Sequence, residues 1–326
     1  MVKYKIVKLY FQSPLHIGRG LGEAYDTAEK TLHSDTISGA LTSVFCSIKR
    51  ECNALEFMSK YNVSSAFPFM GNTCFLPKPL VKVNIGMQDE DEYQQKKKLK
   101  KIEYIETSIW LELISGKEVV IKKEQLSENG KFLFAHKAPD TLPYKDDLQQ
   151  RVSVPRDGGE SKPYFLDRRF FEKSAGLYFF LKTDVDTEQA ICEVLNSLGT
   201  TGLGTDKSVG NGQFKFEIVD IELQLPDVVN KIMVLSLVCP RKDELTAEIL
   251  QNSAYQLTQR GGFIAGTNNN QFRHLRKKSV YMFVEGSVFS TNQLIGKIEN
   301  VRPAWNDSEL HPVFRDGRAF CLPVNI

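Results

Sequence analysis

The order of strand and helix patterns most constrains the fold of this sequence, because one order occurs twice. Alternating apolar residues with one shift of phase predict a first strand at residues 2–11, with either a bulge or both faces partly covered. Apolar residues at helical spacing then predict a helix that Ser34 or Asp35 can cap, and a later helix from Thr187 to Gly199. A closing strand follows that second helix. Short strands are predicted between the helices at residues 73–83, 104–113, 117–122 and 131–136.

The second part of the chain repeats this order after a linker at Pro226. It has a strand (IMVLSLVCP), a helix from Asp243 to Leu257, a strand (SVYMFV) and a terminal hairpin with its turn at Asp316-Gly317. Strand, helix, strand, strand, helix, strand is the ferredoxin-like (RRM-like) plan. We therefore predict an α+β protein with two ferredoxin-like domains, at residues 1–226 and 227–326.

Composition indicates a folded globular chain. The 326 residues are 41% hydrophobic and 25% charged, which excludes a disordered, collagen-like or coiled-coil protein. No apolar run approaches the roughly 20 residues needed to cross a bilayer, and the first eleven residues alternate lysine with apolar side chains. We expect a cytoplasmic protein with no membrane contact.

The cysteines and histidines give no metal-site pattern. The six cysteines lack a CxxC pair, so we expect reduced, mostly buried thiols, and the histidines are dispersed. We predict no metal and no cofactor. The cysteines are Cys46, Cys52, Cys74, Cys192, Cys239 and Cys321.

Charge distribution is more informative than total charge. Lys and Arg number 42 against 40 acids, so a net charge of +2 gives no global case for nucleic-acid binding. However, residues 249–284 contain no acid and several bases, including Arg260. This segment predicts a local basic surface facing phosphate, with an ordinary solvated surface almost equally compatible.

A glycine-rich loop lies between the second helix and the closing strand. Its sequence, GTTGLGTDKSVGNGQF, favours phosphate or RNA contact about as strongly as a merely tight turn, and the crowding of glycines tips the choice toward contact. Asp206 replaces the glycine that precedes the lysine of a Walker A loop, so ATP binding is disfavoured. The candidate RNA-binding residues are Gly202, Gly204, Lys207, Ser208, Gly210 and Gly212.

A second candidate loop, SPLHIGRG, follows the first strand. It contributes Ser13, His16, Gly18 and Arg19 as candidate RNA contacts. His16 is also a candidate general base for RNA cleavage, although no second base or acid is tied to it by spacing. We expect the first and closing strands to be antiparallel neighbours in the middle of the sheet, so the two loops should meet and share one RNA backbone.

Residues 139–170 form a polar insertion rich in Pro, Gly, Arg and Asp. The segment has little periodicity, and Asp157-Gly158-Gly159 suggests the turn of a projecting hairpin.

Six segments, in order, carry a resemblance that spans nearly the whole chain. They are SPLHIG, SDTISGAL, SSAFPF with FLPKPL, GLGTDKSVGNGQF, EGSVF and HPVFRDGRAF. In these segments the chain resembles the RAMP proteins of CRISPR systems, and more narrowly the tag-binding RAMP subunit of type III-A (Csm) effector complexes.

The resemblance implies a non-catalytic subunit that holds the 5′ repeat-derived tag of the crRNA. Its implied partners are the large polymerase-like subunit and the backbone RAMP subunit, with target RNA nearby. It also implies that the insertion is a thumb, with Arg151 and Arg156 against nucleic acid. Two alternatives stay open: a RAMP endoribonuclease that processes precursor crRNA with His16 as base, and an assembly scaffold without RNA contact.

Overall fold

The computed structural model describes most of the chain. The described residues are 1–18, 26–49, 51–88, 91–155, 157–227, 230–264, 270–272, 274–305 and 309–326.

The described residues form six α-helices and nineteen β-strands. The helices are α1 (Ser34–Ile48), α2 (Ala54–Ser59), α3 (Glu92–Lys101), α4 (Thr107–Ile114), α5 (Val185–Thr201) and α6 (Ala247–Gln251). The strands up to residue 226 are β1 (Val2–Phe11), β2 (Tyr61–Val63), β3 (Phe67–Met70), β4 (Thr73–Pro77), β5 (Ile85–Met87), β6 (Tyr104–Glu106), β7 (Val119–Ile121), β8 (Phe132–Leu133), β9 (Tyr144–Ser153), β10 (Lys162–Phe171), β11 (Ala175–Thr183) and β12 (Phe214–Leu223). The later strands are β13 (Lys231–Val234), β14 (Leu257–Arg260), β15 (Val280–Phe283), β16 (Val288–Phe289), β17 (Gly296–Asn300), β18 (Phe314–Arg318) and β19 (Cys321–Val324).

The main sheet has the strand order β12-β1-β11-β3-β4-β6-β8, with β2 also paired to β11. β1 and β12 are antiparallel over their full length, from Val2 opposite Leu223 to Phe11 opposite Phe214. The predicted pairing of the first and closing strands is therefore confirmed. Their predicted central position is wrong for β12, which lies at the end of the described strand order, beside β1 alone.

Two apolar cores cover the faces of this sheet. Val7 packs with Leu41 of α1 and Leu198 of α5 on one face. Ile6 packs on the other face, in a core that also contains Trp110 of α4. Both Ile6 and Val7 are fully buried, which explains why the apolar pattern of β1 does not follow a single alternation.

The predicted strand at residues 104–113 is wrong beyond residue 106. β6 ends there and α4 begins at Thr107. The buried residues of α4 are Ile109, Trp110, Leu113 and Ile114, which is the spacing of a helix face and not of a strand. The indole of Trp110 donates to the carbonyl of Pro77 at 3.1 Å, so burial of this side chain leaves its N–H paired.

The insertion is a long antiparallel hairpin, as predicted. β9 and β10 pair from Tyr144 opposite Phe171 to Ser153 opposite Lys162. The tip is exposed, whereas Leu166 and Arg169 near the base are buried. The hairpin therefore projects from a base that is anchored in the body of the protein.

The part after residue 230 departs from the predicted plan. Its described residues contain one short α-helix, α6, where the prediction requires two helices, and Leu257 begins β14 instead of ending a helix. The predicted turn at Asp316-Gly317 is also wrong, because both residues lie in β18 and pair with β17. A Cβ at Gly317 would meet Cys239, so this glycine allows close packing.

The cysteine prediction needs one correction. Cys46, near the end of α1, and Cys52 are joined by a disulfide, so these two are not reduced thiols. The other four cysteines are free, and of these Cys239 is buried.

The carboxyl-terminal third packs on the amino-terminal part. Leu322 and Val324 of β19 belong to the same core as Trp110. Polar contacts add to this packing, because the Ser38 hydroxyl on α1 donates to the buried carboxylate of Asp316 at 2.9 Å. The domain boundary near residue 226 stays a prediction.

Candidate nucleic-acid interface

The loop after β1 and the glycine-rich loop after α5 meet, as predicted. The Thr205 N–H donates to the His16 carbonyl and the Gly212 N–H to the Pro14 carbonyl, each at 2.9 Å. A Cβ at Gly18 would lie 3.2 Å from the Thr205 side chain. Because β1 and β12 are antiparallel neighbours, the loop that leaves one lies beside the loop that enters the other.

Three glycines of the loop allow close backbone packing, one of them against the loop after β1 and two within the glycine-rich loop itself. A Cβ at Gly204 would overlap the His16 carbonyl oxygen, and Gly202 and Gly212 are similarly crowded by loop backbone. Gly210 differs, because its φ of +83° requires glycine while no heavy atom lies within 4 Å of its Cβ position. Gly210 is thus the loop glycine with room for a ligand above the backbone.

The exposed surface of the loop is the turn Lys207–Val209. Lys207 is exposed at its amino-terminal end, and Val209 is 74% exposed. Asp206 precedes the turn in the left-handed conformation, with φ of 57°. The side chain of Ser208, and Arg19 and Arg156 entirely, lie outside the described residues.

His16 and Ser13 hold the loops from within. His16 is 1% exposed, and its Nδ1 donates to the carbonyl of Asp167 on β10 at 2.6 Å. The hydroxyl of Ser13 accepts from the Gln213 N–H at 2.8 Å. Leu15 and Arg169 also exchange two backbone hydrogen bonds, so the first loop is fixed both to the hairpin and to the glycine-rich loop.

Two residues at this junction were missed by the sequence reasoning. Arg168, at the base of the hairpin, donates through Nη1 to Asn211 Oδ1 of the glycine-rich loop at 3.4 Å. Both side chains are at least nine-tenths buried, yet Arg168 Nε and Asn211 Nδ2 have no hydrogen-bond partner. Burial is the larger cause that lowers the pKa of Arg168, and the positive charge of the nearby Arg151 lowers this pKa further. The adjacent Arg168 and Arg169 beside the apolar Phe170 and Phe171, at the end of the polar insertion, were the available signal.

The base of the hairpin is fixed by Arg169. Its guanidinium contacts Asp146 at 2.7 Å through Nε and lies 3.7 Å from the ring centre of Tyr144. It also donates to the Lys30 carbonyl at 2.8 Å. All three guanidinium nitrogens of Arg169 are engaged in these contacts, which hold the base of the hairpin in position.

The other two described arginines of the prediction, Arg151 and Arg260, are not part of the two joined loops. Arg151 is exposed on β9, opposite Tyr164 in the strand register. Arg260, in β14, is held by Asp35 at 3.0 Å and by Glu29 at 3.5 Å. The structure therefore gathers the two loops and the hairpin base, and places Arg260 where the amino-terminal part meets the carboxyl-terminal third.

The described residues contain no group of three or more His, Cys, Asp or Glu side chains placed to hold a metal ion. No described helix combines the length and apolar character needed to span a membrane.

Comparisons with known proteins place this architecture. Residues 228–324 match the family model of the CRISPR Csm4 C-terminal domain. The chain is 26% identical over 318 residues to a Csm4 protein of Streptococcus thermophilus, covering 92% of this chain and 93% of that protein. It is 23% identical over 304 residues to Csm4 of Thermococcus onnurineus, covering 90% and 91%.

Solved structures share the fold over the full length. A chain of a Csm3-Csm4 subcomplex of the type III-A interference complex matches with a TM-score of 0.66 at 19% identity, covering 100% of both chains. A chain of a Csm1-Csm4 cassette with pppApA matches with a TM-score of 0.63 at 20% identity, covering 100% and 99%. The mixed α+β architecture is therefore the fold of those Csm4 chains. In sequence, residues 228–324 match the Csm4 C-terminal domain, and over about nine-tenths of its length the chain is similar to Csm4 proteins.

Proposed function

We propose that this chain is the subunit of a type III-A CRISPR ribonucleoprotein that binds the 5′ repeat-derived tag of the crRNA. In this role it contacts the large polymerase-like subunit on one side and the backbone RAMP subunit on the other. It contributes no catalytic residue and holds RNA in place for its partners.

The strand order supports a ferredoxin-like plan for the amino-terminal part. The order β12-β1-β11-β3 places the closing strand beside the first strand, and the helices α1 and α5 follow the first and third strands of that plan. We infer a RAMP domain at residues 1–226, with the β9–β10 hairpin inserted before its third strand.

The observation that carries the proposal is the junction of the two loops. Three sequence-distant segments meet there: the loop after β1, the glycine-rich loop and the base of the hairpin. The junction presents the exposed Lys207 and the uncrowded backbone at Gly210 on a rigid support. A cation beside accessible backbone suits a phosphodiester chain, which needs charge and close approach but no acid–base pair.

The burial of His16 supports a positioning role over catalysis. A general base must reach the proton that it removes, and His16 is buried with Nδ1 already donating to Asp167. In the proposed function His16 keeps the first loop in place.

The partners are inferred from the relatives. Structures that match this fold are a Csm3-Csm4 subcomplex and Csm1-Csm4 cassettes. We infer equivalent neighbours for this chain, with the β9–β10 hairpin as a thumb that lies against target RNA.

Binding of tag RNA tests the proposal. Lys207→Ala is expected to weaken binding of a labelled tag oligonucleotide in fluorescence anisotropy. It should also reduce the slope of the logarithm of the binding constant against the logarithm of salt concentration (the salt slope) by about one, because one counterion fewer is released. Lys97→Ala, an exposed lysine on α3, is the matched control and should bind as wild type. Equal affinity for all three proteins would contradict the proposal. Metal-independent cleavage of repeat RNA that His16→Ala abolishes would establish the endoribonuclease instead.

A further inference from the structure

A second exposed surface carries aromatic and basic side chains outside the loop junction. It lies on the β14–β15 hairpin and the residues that flank it. Tyr281 of β15 is 64% exposed, and Phe263, just after β14, is 40% exposed. Single exposed aromatic side chains are common on protein surfaces, so the cations and open backbone beside these two decide whether they form a contact surface.

A cation contacts the Phe263 ring, and the nearest acids in the sequence are Glu248 and Glu285, at either end of the segment. The Arg276 guanidinium is 5.0 Å from the ring centre of Phe263. Lys277 follows, and its backbone N–H donates to the Gly262 carbonyl at 2.9 Å. Since residues 249–284 contain no Asp or Glu, neutralising carboxylates must come from elsewhere in the fold.

The carboxylates that reach this surface leave positive charge in excess. Asp35 binds both Arg260 and Arg315, and Glu29 lies 3.5 Å from Arg260. Arg315 is 8% exposed, and its Nε is buried without a partner. Lys277 is the third cation. Burial is the larger cause that lowers its pKa, and the positive charge of Arg315 adds to it, to a pKa of about 8. An additional anion would therefore be stabilised here.

The backbone between the cations is open. Gly262 has a φ of +105° and no heavy atom within 4 Å of its Cβ position. A Cβ at Gly261 would have one heavy atom within 4 Å, the Ser279 hydroxyl oxygen at 3.1 Å. The Arg315 guanidinium donates to the Gly261 carbonyl at 2.7 Å. Gln259 pairs with Tyr281 and Arg260 with Val280 at the end of β14, so the Gly261-Gly262 opening directly follows the pair that carries the exposed Tyr281.

We propose that residues 260–263 and 276–281 form a second binding surface for single-stranded RNA. A phosphate binds beside Lys277 and the Gly261-Gly262 backbone, and adjacent bases stack on Tyr281 and Phe263. This combination of a cationic track with aromatic platforms is how proteins hold single strands without reading an extended sequence. The proposal rests on the proposed function, because it adds a contact to a protein that already binds RNA at the loop junction.

Fluorescence anisotropy with a labelled 12-nucleotide single strand tests this surface, using the full chain. Tyr281→Ala and Phe263→Ala should each weaken binding by about fivefold or more, with the salt slope unchanged. Lys277→Gln should weaken binding and reduce the salt slope by about one. Tyr281→Phe should retain wild-type affinity, because stacking needs the ring and not the hydroxyl.

Matched controls lie on the exposed helix α3. Tyr93→Ala and Lys97→Gln remove an exposed aromatic and an exposed lysine from another surface and should bind as wild type. Circular dichroism checks that each variant is folded. Unlabelled ATP at the same nucleotide concentration should not displace the strand, because one nucleotide cannot span both rings; displacement would indicate a mononucleotide site and overturn the proposal.

The two proposals fail in different ways. Wild-type affinity in the Tyr281, Phe263 and Lys277 variants, together with weakened binding by Lys207→Ala, would overturn the second surface alone. If those three variants bind RNA more weakly and Lys207→Ala has no effect, the second surface is supported and RNA binding at the loop junction is overturned. A wild-type chain that binds no RNA would overturn both.

Discussion

At the residue scale, the glycines of the loop after α5 have two different functions. Gly204 removes a side chain that would overlap the His16 carbonyl, whereas Gly210 has open space above it. The sequence pattern predicts a loop that binds phosphate or turns tightly; the crowding at Gly204 is that of a tight turn, and phosphate contact at Gly210 stays a prediction. Spacing along the chain cannot distinguish them, because the crowding atoms belong to a segment almost 190 residues earlier.

Substitution of these two glycines separates their functions. Both have positive φ, so alanine costs about 1–3 kcal/mol of stability at either position through backbone strain. Gly204→Ala should cost more than Gly210→Ala, because only its Cβ overlaps backbone. Urea unfolding measures both variants. A Gly210 variant that is the less stable of the two would contradict the assigned packing.

A buried ion pair at the start of α1 makes stability depend on pH. His33 Nδ1 lies 2.8 Å from Glu285 Oε1. Burial disfavours the imidazolium, but the charge and hydrogen bond of Glu285 prevail and raise the pKa of His33 above 6.5. A raised pKa means that the pair stabilises the fold fully below pH 6.5, and that this stability is lost as pH rises through the folded pKa.

Urea unfolding of wild type and His33→Gln across pH 6 to 9 checks this sign. The stability difference between them should be largest at pH 6 and shrink as pH rises. The neighbours Arg260 and Asp35 also act on His33 and are present in both proteins, so the difference isolates the histidine. A difference that grows with pH would contradict the raised pKa.

At the element scale, helices and strands with one buried face were predictable, and elements shaped by distant packing were not. α1 and α5 have strong helical periodicity of their own, and β1 and β12 have alternating apolar residues that shift phase once. The predicted strand at residues 104–113 is wrong because Ile109, Trp110 and Leu113 belong to a short apolar segment. Such a segment is compatible with a buried strand or a buried helix, and the sequence alone does not show which of the two packs on the sheet. Asp316-Gly317 resembles a hairpin turn locally, but Cys239 packs against Gly317 inside a strand.

The outer half of the β9–β10 hairpin should be dispensable for folding. Deletion of residues 151–160 removes mostly exposed residues, so the unfolding free energy should change by about 0.5 kcal/mol or less. Leu166→Ala, at the buried base, should instead cost about 2–5 kcal/mol. Thermal and urea unfolding compare the two. An unfolded deletion variant would show that the hairpin tip is structural.

At the scale of the whole molecule, the carboxyl-terminal third is the part that the sequence described least well. Its order of patterns predicted a second copy of the first plan, but its described residues have short strands and one short helix that pack on the amino-terminal part. The buried contacts of Asp35 with Arg260 and Arg315 join residues more than 220 positions apart. Such contacts have no local signature, and they explain why Arg260 lies away from the loop junction.

The 5′ ends of RNA in an assembled complex test the central claim most directly. The complex would be purified with this chain as wild type or with the combined change Lys207→Ala and Lys277→Gln, and the bound RNA sequenced after mild nuclease treatment. We predict that wild type protects the complete repeat-derived tag, while the variant complex still assembles but loses protection at the 5′ end. Equal protection of the tag in both complexes would contradict the account.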